Sequence, residues 1–438
     1  MAASQSHSGK TTVTLAVMAA LRAAGWGVAP FKAGPDFIDP LWHAVVCQRP
    51  SYSLDTVMVG AMASRTLLKQ HCREGEVAVV EGVMGLYDGR EGVGGPGSTA
   101  ALAAALEMPV LLVVDARGMA GSIVPLVAGF VQYAKEFKLA GVLANRVGST
   151  RHARILQQAL QDHDLPPLLG WLAQTPAIGL GNRHLGLLLP WDQAVPTTSA
   201  LLAALTLDMD RLWEVASAGC EGGTRNPALQ PTGARLIGKR VAVARDQAFC
   251  FIYPANLDWL QDQGATVLFF SPLAGEPLPE GSDALWLPGG YPELHAEALS
   301  VSSTWPGIRQ ICGAGLPVLA ECGGMMALGD TLTDHAGRCW PMAGVLPIHT
   351  RMTERLAGLG YRQDHSGVRG HEFHHSVRDS STLTPAFRLK RGDNGVRWMQ
   401  VRASYVHWYF PSQPDQSARW FLNSTKLEPD NPPSQQQA

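Results

Sequence analysis

The chain carries no surplus of either charge: 35 Lys and Arg stand against 37 Asp and Glu, a formal net charge of −2. So even a balance leaves no electrostatic footprint for nucleic acid or for an anionic membrane, and any anionic ligand must be met by charge gathered locally. Paired cysteines are missing as well. The seven, at 47, 72, 220, 250, 312, 322 and 339, are scattered and include no CxxC, which argues against a disulfide framework or a zinc site and points to a reducing, cytoplasmic setting. Nor is a signal peptide visible, or an apolar run long enough to span a bilayer. The most apolar stretch, TAALAAALEMPVLLVVDA at 99–116, is cut by Glu107 and Pro109 into a short helix and a buried strand. What is present is apolar mass, 46% of 438 residues, ample for two or three compact domains.

Short runs rich in Val, Leu and Ile alternate with helical patterns, as in VAVVEG (77–82), PVLLVVDA (109–116) and AGVLANRV (140–147). That alternation predicts an α/β domain over residues 1–214, with a parallel sheet covered on both faces. From 215 to 238 the pattern lapses into Gly, Pro and Thr, the composition of a linker. A second series, RVAVARD (240–246), TVLFFSP (266–272), DALWLPGG (283–290) and LPVLAECGG (316–324), predicts a second α/β domain over 239–427. The tail at 428–438, EPDNPPSQQQA, has no apolar residue but its final Ala and is expected to be disordered.

Chain is also in short supply in front of the first motif. SHSGKTT at 6–12 reads as the second half of a phosphate-cradling loop. In it Ser8 and Gly9 offer backbone N–H groups, Lys10 faces the β/γ-phosphate oxygens, and the Thr11 hydroxyl ligates Mg²⁺ with Thr12 behind it. The first glycine of the G-x-x-x-x-G-K-[ST] pattern falls on Ser4, and only Met1, Ala2 and Ala3 precede it as strand. An interior parallel strand carries ladder hydrogen bonds on both edges and burial on both faces. The expectation is therefore a start upstream of Met1, with a β-strand leading into a glycine near Ala3.

Two acidic boxes follow strand ends. FKAGPDFIDP (31–40) places Lys32, Asp36 and Asp39 just past the predicted strand VAPFK, and VVEGVMGLYDG (79–89) places Glu81 and Asp88 past another. In an open parallel sheet, ligand groups gather beyond the carboxyl ends of the strands, so both loops should converge on the phosphates over Gly9 to Thr12. Lys32 would then be a second cation and Asp36 and Glu81 would join Thr11 on Mg²⁺. Asp36, Asp39, Glu81 and Asp88 would position the reacting groups. Asp-Pro and Asp-Gly are also common turn pairs. A Glu that closes a Val-rich strand has no turn role and is costly to bury unpaired.

Taken together, GKTTVTLAVMAALRAAG, FKAGPDFIDPLWH, EGVMGLYDG, NRVGSTRH and RHLGL resemble the cobyrinic acid a,c-diamide synthase family of vitamin B12 biosynthesis, from about residue 5 to 425. The 31–40 box discriminates, because the sister cobyric acid synthase family reads something like F-K-A-Q-N-M there. The first domain is similar to dethiobiotin synthetase, which lacks the second. The resemblance implies ATP, Mg²⁺ and L-glutamine, and conversion of the a and c acetate side chains of a corrin to amides; it leaves a homodimer open. The same chemistry on hydrogenobyrinic acid or nickel sirohydrochlorin would share the motifs. A nucleotide-binding module without ligase activity is a reading of another class, which the incomplete phosphate loop favours and the second domain opposes.

In LPVLAECGGMMALGD (316–330) an apolar strand runs into Cys322, two glycines and a helical run. That is the pattern of a nucleophile elbow, whose turn exposes the thiol and whose helix N-terminus is expected to lower its pKa. The N–H groups of Gly289, Gly290 and Gly323 are candidates for an oxyanion hole, and His407 in ASYVHWYF (403–410) for the base. The domain resembles a class I glutamine amidotransferase. Such domains usually carry Glu two residues after the His; Tyr409 stands there, and what orients the imidazole is open. HTRMTERLAGLGYR (349–362) and RGHEFHHS (369–376) concentrate Arg351, Arg355, Arg362 and Arg369 with His371, Glu372, His374 and His375, a density suited to a corrin bearing many carboxylates. Ammonia is mostly protonated at neutral pH, so an enclosed path between the domains is expected.

Overall fold

Runs of β-branched and small apolar residues form the buried strands here, and Ala- and Leu-rich stretches form the helices between them. The computed structural model describes residues 1–179, 189–191, 196–218 and 233–423. The chain divides into two units, Met1–Gln230 and Pro231–Ala438. That division falls inside 215–238, although the helix Met209–Ala218 runs on past residue 214. The RHLGL stretch, residues 219–232 of the expected linker and the tail lie outside the described residues.

Unit 1 contains β1 (Ala2–Ala3), β2 (Gly27–Ala33), β3 (Tyr52–Leu54), β4 (Glu76–Glu81), β5 (Val110–Asp115), β6 (Leu139–Val147), β7 (Leu168–Ala173) and β8 (Leu205–Leu207). One sheet runs β1-β5-β6-β7-β8 and another β3-β2-β4; the pairing of β7 with β8 is antiparallel and the others are parallel. Helix α1 (Lys10–Ala23) starts directly off Gly9 and buries Val13, Leu15, Val17, Met18 and Leu21. Helix α2 (Ile38–Cys47) follows β2 and buries Ile38, Trp42, His43 and Val46.

The strand before the phosphate loop is the two-residue β1. Ala2 and Ala3 lie in parallel register with Leu112 and Val113 of β5. On their other side Gly82 N–H donates to the Met1 carbonyl and Leu86 N–H to that of Ala3, both at 2.8 Å. Both alanines are fully buried, and Met1 to Ala3 bridge the two sheets. Next to Met1 an apolar cavity of about 500 Å³ lies between β4 and β5, lined by Val77, Val79, Leu111, Val17 and Leu21 among others.

Unit 2 contains β9 (Arg240–Ala244), β10 (Thr266–Phe270), β11 (Ala284–Leu287), β12 (Val318–Glu321), β13 (Gly329–Thr333), β14 (Cys339–Pro341), β15 (Leu346–Met352), β16 (Gly358–Gln363), β17 (Arg369–His374), β18 (Ser376–Arg378), β19 (Val396–Trp398), β20 (Val401–Ser404) and β21 (Val406–Tyr409). The main sheet is ordered β10-β9-β11-β12-β20-β19, parallel up to β20 and antiparallel at β19. Smaller sheets are ordered β14-β13-β15-β18 and β16-β17-β21. The nucleophile turn after β12 and the histidine strand β21 thus belong to different sheets. Among the described residues no helix is long and apolar enough to cross a membrane.

Candidate active sites

The first site is built on the N-terminus of α1. Gly9 adopts φ +79°, and a Cβ there would come within 2.1 Å of Asn145 Nδ2, so a side chain is excluded by both conformation and space. Asn145 Nδ2 donates to the Ser8 carbonyl at 2.8 Å, and Arg146, paired with Asp115, donates to that of His7 at 3.2 Å. Ser8 Oγ closes the loop on the Gln5 carbonyl at 2.8 Å. Helical bonding begins with Val13 N–H to the Gly9 carbonyl, which leaves the N–H groups of the opening turn for an anion. Thr12 stands half-buried in that turn. Asn145 and Arg146 were not picked out as site residues; their position at the carboxyl end of β6 was the available signal.

Beyond the loop the acidic boxes converge. Glu81, at the end of β4 and fully buried, takes Lys10 Nζ at 2.8 Å and the Thr11 hydroxyl at 2.7 Å on one oxygen, and meets His43 Nε2 at 2.7 Å with the other. Lys32, also buried, lies 2.8 Å from Asp39, 3.7 Å from Asp36 and Glu81, and donates to the Gly82 carbonyl at 2.7 Å. Burial pushes the Glu81 carboxyl up, yet Lys10, Lys32 and His43 overcome it and hold the group well below the usual range. Burial likewise opposes the Lys32 ammonium, but Asp39, Glu81 and Asp36 hold it up. Lys10 is drawn down by burial, against Glu81. With three carboxylates around two ammonium groups, negative charge is in excess. Burial, Asp36 and Glu81 push Asp39 up to about 7.

The carboxylates differ in what they do. Thr11 Oγ1 reaches Asp39 at 3.3 Å as well as Glu81, so Thr11, Asp39 and Glu81 form the tight oxygen cluster. Asp36 Oδ1 accepts from the backbone of Ile38 and Asp39 and so caps the start of α2. Asp88 is exposed and its carboxylate accepts from Gly85 N–H at 2.9 Å, closing its own turn. His43 was missed. It sits four residues after Asp39 on α2, hence on the same face, with Nδ1 2.9 Å from Ser51 Oγ.

In unit 2 the elbow forms as the spacing suggested. Cys322 has φ +46° and ψ −107°, between the end of β12 and the helix Gly323–Leu328. This is a conformation that costs a non-glycine residue about 1–3 kcal/mol and clusters at functional sites. A Cβ on Gly289 would lie 2.2 Å from His407 Cε1 and 3.3 Å from Cys322 Cβ, so imidazole and thiol flank the same glycine. A Cβ on Gly323 would lie 3.1 Å from Gly290 N, which brings the backbones of the two glycine loops together beside the thiol. The expected lowering of the thiol pKa is corrected: burial first, then Glu293, push the Cys322 thiol up, against the Gly323 N–H. A six-residue helix does not offset full desolvation. Burial, with His371 and His374, pulls the His407 imidazole down to about 3. Tyr409 is buried and packs edge-on against Tyr253 at 6.0 Å.

The arginine and histidine boxes split. In the register of β16, β17 and β21, His371 lies directly opposite His407 and Tyr361. Glu372 and His374 point to the other face, where Arg362 Nε meets Glu372 at 2.5 Å and His374 Nε2 meets it at 2.9 Å. Burial opposes this carboxylate, but His374 and Arg362 hold it down to about 2. Arg362, Glu372 and His374 therefore satisfy one another. Arg351 and Arg355 are exposed.

Comparison with known proteins gives the same two halves. Residues 1–200 match the CobQ/CobB/MinD/ParA nucleotide binding domain, and residues 240–415 the CobB/CobQ-like glutamine amidotransferase domain. The chain is 38% identical to the cobyrinate a,c-diamide synthase of Syntrophotalea carbinolica, covering 98% of each chain. It is 42% identical to the hydrogenobyrinate a,c-diamide synthase of Stutzerimonas stutzeri over 94% of this chain and 96% of that one. It is 41% identical to the cobyrinate a,c-diamide synthase of Haloarcula marismortui over 93% and 94%.

Proposed function

The chain belongs to the cobyrinate and hydrogenobyrinate a,c-diamide synthase family, and we propose that it amidates the a and c carboxylates of a corrin through an acyl phosphate, with ammonia drawn from glutamine. It is a glutamine-dependent carbon–nitrogen ligase of cobalamin biosynthesis, with ATP and glutamine as co-substrates. The observation that carries the reading is the pairing of a lysine-and-carboxylate cluster at a helix N-terminus with a cysteine elbow facing a histidine.

A carboxylate is a poor acyl donor because its leaving group would be oxide. In unit 1 its oxygen attacks the γ-phosphorus of ATP, ADP departs, and ammonia then attacks the acyl carbon of the mixed anhydride as phosphate leaves. Lys10 and the opening turn of α1 meet the phosphates; Lys32 stabilises the charge that spreads over the transferred group. The oxygens of Thr11, Asp39 and Glu81, with the excess negative charge around them, fit Mg²⁺, whose presence would neutralise phosphate charge. Asp36 holds α2, and with it Asp39, in place.

In unit 2 the Cys322 sulfur attacks the side-chain carbonyl of glutamine and ammonia leaves, giving a γ-glutamyl thioester that water cleaves to glutamate. The neutral His407 accepts the thiol proton at attack and delivers it to the departing nitrogen. The backbone N–H groups of Gly290 and Gly323 would hold the oxyanion. A cytoplasmic location supplies the ATP and the reduced thiol this needs.

The test is incubation of the purified chain with ATP, Mg²⁺, glutamine and, separately, cobyrinic acid, hydrogenobyrinic acid and nickel sirohydrochlorin, with products separated by charge and mass. Two successive losses of one negative charge on a corrin are expected. Amidation of nickel sirohydrochlorin only, or ATP binding without any amide, would overturn the reading.

A further inference from the structure

Cys322 and His407 come from different sheets, so no backbone ladder joins the strand of one to the strand of the other. The chain leaves the main sheet at Tyr405, between β20 and β21. One edge of β21 pairs with β17. At the other edge, Trp408 N–H donates to Glu321 Oε1 at 2.8 Å, the Trp408 carbonyl accepts from Asn256 Nδ2 at 2.8 Å, and Phe410 N–H donates to Asn256 Oδ1 at 2.9 Å. Glu321 and Asn256 are both buried, at 1% and 0% exposure. Glu321 immediately precedes Cys322, and its second oxygen accepts from the Trp286 indole N–H at 3.1 Å. Trp286 lies in β11, which leads into Gly289 and Gly290. One carboxyl thus touches the nucleophile strand, the base strand and the strand before the glycine loop.

We propose that Glu321 and Asn256 are positioning residues for His407: their side chains take the edge of β21 that a neighbouring strand would otherwise take, and so set the imidazole against Cys322. This rests on the reading of Cys322 and His407 as nucleophile and base. A carboxyl this costly to bury is retained where backbone groups would otherwise go unsatisfied. Burial pushes it up to about 8, against the Trp408 and Trp286 N–H bonds. Loss of the bond at Trp408 would leave a buried N–H unpaired one residue from His407, or let β21 slide to find water.

The experiment compares Glu321→Ala, Glu321→Gln and Asn256→Ala in the full chain, with Cys322→Ala and His407→Ala as references. Glutamine hydrolysis gives kcat and KM, and alkylation of Cys322 by iodoacetamide gives a pH profile that reports whether the base reaches the thiol. For Glu321→Ala, kcat falls roughly 100-fold, the cost of a misplacement of about 1 Å, while the glutamine KM stays within about threefold. Its alkylation profile shifts onto that of His407→Ala. Glu321→Gln, which keeps one acceptor oxygen, recovers part of kcat, and Asn256→Ala moves kcat and profile in the same direction as Glu321→Ala. Wild-type kcat in Glu321→Ala, or a profile unlike that of His407→Ala, overturns the proposal. Should Glu321→Ala fail to fold, Glu321→Gln and Asn256→Ala decide it, and wild-type kcat in both overturns it. Undiminished glutamine hydrolysis in Cys322→Ala would instead sink the parent reading.

Discussion

The two sites of this chain handle charge in opposite ways. In unit 1, Lys10, Lys32, Asp36, Asp39 and Glu81 are linked by contacts of 2.8 to 3.7 Å, an ionic cluster already formed around the phosphate loop. In unit 2 burial disfavours charge on the proposed nucleophile and base alike, holding the Cys322 thiol up and the His407 imidazole down. The difference follows the chemistry. Phosphoryl transfer moves dense negative charge and needs fixed countercharges, whereas thioester formation moves a proton and needs a dry place to move it.

The largest effect should come from separating the two. Cys322→Ala should lower glutamine-supported amidation by roughly 10⁴-fold or more while amidation from added ammonia persists, since only the nitrogen source is removed. Equal loss with both donors would merge the sites into one. Glu81→Gln is the converse: amidation from either donor falls by on the order of 10²- to 10³-fold, with basal glutamine hydrolysis spared, because its partners all lie in unit 1. An unimpaired variant would reduce Glu81 to a structural carboxylate. His43→Ala sharpens the contrast further. It should lower amidation roughly 10- to 100-fold by releasing one oxygen of Glu81, with nucleotide affinity as the second readout; an effect on glutamine hydrolysis instead would misplace it.

The smallest effect is on stability. Because the folded imidazole of His407 sits near 3 and the unfolded one at 6.5, the unfolded chain binds the extra proton between those values. His407 therefore contributes stability that is complete above pH 6.5 and is lost as pH falls through the window, with a slope of up to about 1.4 kcal/mol per pH unit, while the raised Glu321 and Asp39 carboxyls slope the opposite way. Urea titrations at pH 7, 6 and 5 of the wild type and of His407→Gln isolate this slope as the difference between the two, and a difference that does not change with pH would refute it.

Much of the fold was legible because its signals are local. VAVVEG, PVLLVVDA and AGVLANRV fall on β4, β5 and β6, and the strand, Cys322 and paired glycines of the elbow are written consecutively. The strand character of Ala2 and Ala3 was not legible because two buried alanines carry no β pattern. Their strand character comes from β5 on one side and residues 82–86 on the other. The thiol pKa was misjudged for a related reason: helix geometry is visible in a sequence, desolvation is not.

By itself the sequence determined the order of strands and helices, the phosphate loop, the elbow and the acidic boxes, because periodicity and turn chemistry act over a few residues. Only the tertiary structure decided which partner each charged group takes. Lys10 finds Glu81 across 71 residues, Glu321 finds Trp408 across 87, and strand register puts His371 with His407 while turning Glu372 and His374 away. Such pairings are set by burial, since a charge removed from water must be met by whatever the fold brings beside it.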